Sequence, residues 1–362
     1  MIITTKVILS TLNILSRYKH HIFAPMNKKG VLLVNLGTPN SPTWGGLRPY
    51  LSQFLTDRRV IDLPWLFRNL LFRGIVAPIR SRKVAKLYDE LWMEEGSPLK
   101  VYGKRVADGV QDILGDDYEV QLAMRYQNPS IESSLERLRD KGVSEIIIFP
   151  LFPQYASATT GSVFEEVMRI MKKKELIPSI KMINSYYDHP DMIKLYADKA
   201  RMHDLSAYDH FIFSFHGVPQ RYLKKENDYC KCDGMCCQTI ETGNQFCYSA
   251  QCHATAYGIA KELGISADKM TVSYQSRFGP EAWIQPYTDK VLEEQLEKGH
   301  KNILCFSPAF VADCLETTIE IGEEYKEDFM KDGGQRLDLV ESLNDDPRWM
   351  QIIADIVSEK AA

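Results

Sequence analysis

Short apolar runs recur along the chain, each stopped by glycine, proline or small polar residues and followed by a helix-length stretch. Val31–Asn35, Val120–Met124, Glu145–Pro150 and Ile180–Ile183 read as one series of strands; Phe211–Phe215, Met270–Tyr274 and Asn302–Phe306 read as a second. Runs of this length and apolarity suit strands buried on both faces. Helical segments are expected between them at about 130–141, 162–174, 190–202, 250–263, 288–299 and 314–330, with a last helix at 347–360 that could pack on either half. Strands alternating with helices predict an α/β chain with parallel, doubly wound sheets. Two series of similar length predict two such domains facing each other across a cleft, at 29–189 and 190–345. Residues 346–362 form the closing helix. No sequence repeat marks a duplication, and 362 residues suffice for two separate cores.

Composition excludes some classes. Lys plus Arg number 44 against 48 for Asp plus Glu, a net charge of -4, which argues against a general nucleic-acid binder. No uncharged apolar run reaches the length of a membrane-spanning helix. Residues 1–28 are moderately apolar but carry Lys6, Arg17 and Lys19 with no clean cleavage site. They are expected to be a loosely packed extension, or to precede translation from Met26, and a cytoplasmic protein is expected. Trp65, Leu66, Leu70, Leu71 and Phe72 form an apolar cluster larger than one small helix needs. Two readings stay open for it, core packing or a lip against an apolar ligand or a membrane surface.

Ligands of open α/β sheets bind at the carboxyl ends of strands. There the chain places His216, followed by Gly217 for a tight turn and Pro219, which cannot continue a ladder. An imidazole at that place suits proton transfer near neutral pH. After the strand at 302–306, Glu316, Glu320 and Glu324 recur every four residues, so a helix lines them up along one face. Like charges at this spacing repel, so the row does not stabilise the helix. Besides a solvated acidic face, it suits a proton relay or transient binding of a hard divalent cation.

Eight ordered blocks between Lys29 and Lys360 resemble the ferrochelatases. They are Val34–Pro39, Gly96–Leu99, Met124–Tyr126, Pro150–Tyr155 with Thr159–Ser162, Ser214–Pro219, Ser273–Pro280, Asp313–Thr317 and Glu341–Asn344. The resemblance implies two chelatase-like domains holding a porphyrin in the cleft, and insertion of Fe2+ into protoporphyrin IX to form protohaem. It implies that His216 accepts pyrrole protons and, with Glu316, meets the substrate Fe2+, while Glu320 and Glu324 continue a polar path outward. On the opposite face it points to Leu36, Arg125 and Tyr126 for metal delivery or macrocycle contact. Arg80 matches an arginine that pairs with a propionate. Tyr88, Ser97 and Trp283 match pocket-lining positions for which packing is an equal account. Cys314 stands where several relatives carry a second histidine. The rival readings are a coproporphyrin ferrochelatase, another tetrapyrrole chelatase, and a non-catalytic haem or iron–sulfur binding module. Leu36, where coproporphyrin-type relatives often have tyrosine, leans towards protoporphyrin.

Six of the eight cysteines fall between Cys230 and Cys252, within an insertion at about 228–253. Without an export signal, such clustering reads as a metal site. Four thiolates suit a 2Fe-2S cluster or zinc. Animal ferrochelatases use one mid-chain cysteine, here Ser157, and three in a C-terminal tail, and no cysteine follows Cys314 in this sequence. The segment instead resembles the cysteine-rich insertion of some bacterial members. That implies a 2Fe-2S cluster on Cys230, Cys237, Cys247 and Cys252, with Cys236 as alternate and zinc as the alternative metal. The polar residues Lys224 to Asp228 suggest that this site lies apart from the cleft.

Overall fold

The computed structural model describes residues 28–226, 230, 232 and 234–361, so the proposed extension lies outside the described residues except for Lys28. Eight strands form two parallel sheets. β1 (Lys29–Gly37), β2 (Tyr118–Tyr126), β3 (Glu145–Pro150) and β4 (Ser179–Met182) lie in the order β2-β1-β3-β4. β5 (His210–His216), β6 (Met270–Gln275), β7 (Asn302–Phe306) and β8 (Arg336–Leu339) lie in the order β6-β5-β7-β8. The two orders are the same when each series is counted from its first strand, so the halves share a topology that no sequence repeat reveals.

β8 is absent from the sequence reading because Arg336 and Asp338 interrupt its apolar pattern. Edge strands need only one buried face, and a short alternating run gives a weak signal. The expected helix at 314–330 also differs. It opens as a π-helix, Leu315–Tyr325, and turns α-helical at Lys326–Lys331. Further π-helical segments lie at Asn69–Val76 and Ser157–Gly161. Such i→i+5 turns are uncommon and cluster at functional sites.

The apolar runs explain the core. Val31, Leu32, Leu33 and Val34 are fully buried, as are Ile212, Phe213 and Phe215. One apolar cluster contains Val31, Leu33 and Phe149 of the first sheet together with Phe213, Phe215 and Phe306 of the second. The C-terminal helix, Pro347–Ala361, packs on β3 and on the helix Pro98–Leu114. Trp349 is buried and faces Tyr186, which in turn meets Phe149. Lys29 and Lys181 donate to the carbonyl of Ala361 at 3.0 and 3.1 Å, satisfying an orphan acceptor at the helix end.

The strand ends depend on close backbone approach. Gly37 pairs with Tyr126 across β1 and β2 and has φ +116°, and a Cβ there would lie 2.0 Å from the Tyr126 carbonyl oxygen. Gly37→Ala therefore combines a disfavoured dihedral with a backbone clash. It is expected to cost about 2–4 kcal/mol, read as a lower denaturation midpoint with unchanged m-value; a loss below about 0.5 kcal/mol would contradict this account.

Candidate active site

His216 ends β5, half-buried, with Gln275 beside it in register on β6. Its Nδ1 lies 2.7 Å from the carbonyl oxygen of Gly217. A carbonyl only accepts, so Nδ1 carries the proton and the lone pair resides on Nε2. The ring lies 6.4 Å from both Trp283 and Phe310, centroid to centroid. Gly217 is required here, since a Cβ would come within 2.9 Å of Gln275 O and 3.1 Å of the Trp283 ring.

Gln275 joins His216 to the acidic row. Its amide nitrogen donates to the carbonyl of Glu316 at 2.7 Å and to the carboxylate of Glu320 at 3.0 Å. Ser214 donates to the amide oxygen at 2.6 Å, which fixes the amide so that its nitrogen faces the glutamates. Ser276 also donates to Glu320, and the Tyr325 hydroxyl does so at 3.0 Å. Three donors thus hold Glu320 in one position. Glu324 is exposed at the outer end, its carboxyl raised by desolvation and then by Glu320, Asp328, Glu323 and Glu327. The row survives the change from α- to π-helix because four residues still make roughly one turn.

Glu316 lies at the inner end, half-buried, close to Cys314, Tyr50 and Tyr88. Burial first, and then the Glu316 charge, push the Cys314 thiol up. It is a neutral thiol there, a weak substitute for an imidazole as a metal ligand. Cys314 also caps the π-helix, its N–H donating to Thr317 Oγ1 at 2.9 Å.

At the end of β2, the Arg125 guanidinium pairs with Asp57 at 2.7 Å and donates to Ser162 Oγ at 2.7 Å. The same Asp57 oxygen accepts from Tyr126 at 2.9 Å and Ser162 at 2.6 Å. Burial and then the Asp57 charge push the Tyr126 phenol well up, so it is a neutral donor committed to Asp57. Leu36 packs beside Tyr126 in an apolar cluster that also takes in Leu315 and Ile319 of the π-helix. Tyr88 is buried edge-on to Tyr50 and Trp92. Ser97 is buried and accepts from Thr38 at 2.7 Å. Arg80 is exposed, with its guanidinium 4.9 Å from the Phe278 ring of the opposite half.

The cysteine segment is not a loose surface loop. Cys230, Cys237, Cys247 and Cys252 are buried in the same core cluster as Phe213 and Phe215. Cys230 and Cys232 thiols are 3.6 Å apart, and Cys236 and Cys237 thiols 4.0 Å apart. Cys247 caps the helix Tyr248–Leu263. A hydrogen bond from Cys237 brings its thiol down to about 6 against the effect of burial, helped by the N–H groups of Ala250 and Ser249. Burial raises Cys252, and raises Cys230 to about 12. The donors fit a soft metal in kind. Among the described residues, however, no three His, Cys, Asp or Glu side chains converge as a metal shell.

The ferrochelatase family profile matches residues 28–361. The chain belongs to the ferrochelatase family. It is 42% identical over 336 residues to the ferrochelatase of Legionella pneumophila, a match covering 92% of this chain and 99% of that one. To the ferrochelatase of Vibrio parahaemolyticus it is 43% identical over 337 residues, covering 92% and 98%. The fold matches a solved sirohydrochlorin chelatase of Bacillus subtilis subspecies spizizenii in complex with cobalt, with TM-score 0.51 and 13% identity over 92% of this chain and 95% of that chain. The protein is thus a ferrochelatase by family, a lyase with Fe2+ as substrate, on a two-domain chelatase fold.

Sequence reasoning missed Asp57 and Gln275. Asp57 opens an Asp-Arg-Arg run that reads as solvated surface, and Gln275 stands inside a matched block without a titratable group. Their roles come from tertiary hydrogen bonds. Asp57→Ala is expected to leave the half-buried Arg125 charge unpaired, lowering stability by about 3 kcal/mol. A thermal melt of the variant checks this, and an unchanged midpoint would contradict it.

Proposed function

We propose that the protein inserts Fe2+ into protoporphyrin IX, with His216 as acceptor of the pyrrole protons. The observation that carries this reading is the locked tautomer of His216, which leaves an Nε2 lone pair at a strand end that Gln275 links to a row of carboxylates. The reaction releases two protons as one dication enters, so charge balances without a redox step. His216 takes a proton at Nε2 while Nδ1 stays bonded to Gly217 O, and Glu316 stabilises the resulting imidazolium. Glu320 and Glu324 pass protons, or admit hydrated Fe2+, along the acidic row. Arg80 is assigned to a propionate; Leu36, Tyr88, Ser97 and Trp283 line the pocket, and Arg125 and Tyr126 hold the wall opposite His216.

The thiols Cys230, Cys237, Cys247 and Cys252, with Cys236 as alternate, are assigned to a 2Fe-2S cluster, which would supply a structural or redox-responsive element. Trp65, Leu66, Phe67 and Leu70 are each more than half exposed beside Arg58 and Arg73, which supports a peripheral contact with a membrane surface. Among the described residues no helix is long and apolar enough to cross a membrane, and a cytoplasmic setting is proposed.

His216→Ala is expected to abolish turnover, assayed anaerobically with Fe2+, while porphyrin binding persists; near-normal turnover would overturn the assignment. Protoporphyrin is expected to outpace coproporphyrin as substrate, and the reverse order would reassign the macrocycle. Glu316→Gln should reduce turnover more than Glu320→Gln, because Glu316 is at the inner end of the row; the opposite ranking would reverse its direction. Anaerobically purified protein should show visible absorption that dithionite bleaches and Cys247→Ser removes, whereas a colourless protein with one zinc per chain would replace the cluster by zinc.

A further inference from the structure

The helix that carries Cys247 and Cys252 is fastened to the strand that carries His216. Tyr248, buried at its first turn, donates its hydroxyl to the main-chain carbonyl of His216 at 2.8 Å. The next residue, Ser249, shares a 2.7 Å hydrogen bond with the Tyr274 hydroxyl of β6. Further along, Gln251 accepts from the N–H of Tyr155 at 2.7 Å, and Gln154 donates to Thr255 at 3.0 Å. The helix is thus held to both halves of the molecule. Its contact with His216 is special in what it restrains. The carbonyl of His216 belongs to the peptide plane that leads into Gly217, and the carbonyl of Gly217 is the acceptor that fixes His216 Nδ1. Glycine gives this turn little conformational restraint of its own. The N–H end of the plane donates to Gln275 O at 2.8 Å, and Tyr248 holds its carbonyl end.

We infer that Tyr248 is a positioning residue for His216, and that it couples the cysteine segment to the active site. The inference rests on the reading of His216 as proton acceptor. Tyr248 and Cys252 stand four residues apart on the same helix, so they share one of its faces, and Cys247 immediately precedes Tyr248. A change at these thiols, by loss of a metal or by substitution, shifts the hydroxyl and with it the His216–Gly217 turn. Tyr248 acts through the orientation of the imidazole.

The experiment uses the full-length protein, wild type and variants, with anaerobic Fe2+ and protoporphyrin. Tyr248→Phe keeps the ring and removes one hydrogen bond, and kcat is expected to fall about three- to tenfold with porphyrin KM within about twofold. Its visible absorption from the cysteine segment should equal that of the wild type. Cys252→Ser should lower kcat in the wild-type background, but the double variant should fall no further than the lower of the two singles. An unchanged kcat in Tyr248→Phe, a rise in KM alone, a loss of the absorption, or multiplicative effects in the double variant would each overturn the inference. Should Tyr248→Phe not fold, Cys252→Ala carries the test: lower kcat at constant KM supports coupling, and unchanged kcat rejects it. His216→Ala separates the two claims. If it retains turnover, the reading of His216 itself fails; if it is inactive while Tyr248→Phe is normal, only the coupling fails.

Discussion

The 2.7 Å hydrogen bond between His216 Nδ1 and Gly217 O determines which nitrogen of the imidazole can receive a proton. Everything around it acts to keep that bond in place. Gly217 allows Gln275 O and the Trp283 ring to approach where a side chain would clash. The N–H of Gly217 donates to Gln275 O at 2.8 Å, and Tyr248 holds the carbonyl of His216. A strand end with this many restraints would hold the proposed base ready at small reorganisation cost, as catalysis by a preorganised group requires.

The polar groups around His216 and those around Arg125 are arranged differently. Around His216 the groups are fixed but keep carboxylates available, with Glu320 held by Gln275, Ser276 and Tyr325. Around Arg125 the polar atoms are spent on one another, since Asp57 accepts from Arg125, Tyr126 and Ser162 at one oxygen. A neutral, committed Tyr126 and a paired Arg125 form a stiff wall more readily than a metal carrier. The π-helix Leu315–Tyr325 joins the two regions, because Ile319 and Leu315 pack in the cluster of Leu47, Tyr50 and Tyr126 while Glu316 and Glu320 meet Gln275.

How far the sequence foretold this depends on the kind of signal. β1 and β5 are legible because every residue from Val31 to Val34 and from Phe211 to Phe215 is buried, so their runs are apolar apart from Ser214. β8 was not, since an edge strand tolerates Arg336 and Asp338. The π-helices leave no mark in residue spacing, as the Glu row fits an α-helix equally well. His216 and the row were singled out from their chemistry, their place after strands and the family resemblance. Asp57, Gln275 and Tyr248 were not, because each acts through one contact between segments far apart in the chain. The polar flank of the cysteine segment gave no hint that Cys237, Cys247 and Cys252 are buried in the core.

The most direct measurement is the tautomer of His216 in the resting protein, read by long-range 15N–1H correlation on histidine-labelled enzyme and assigned with His216→Ala. The account predicts that in the neutral ring the proton sits on Nδ1 and Nε2 is bare. A neutral ring protonated at Nε2 would contradict it, since that nitrogen could then accept no proton from a porphyrin.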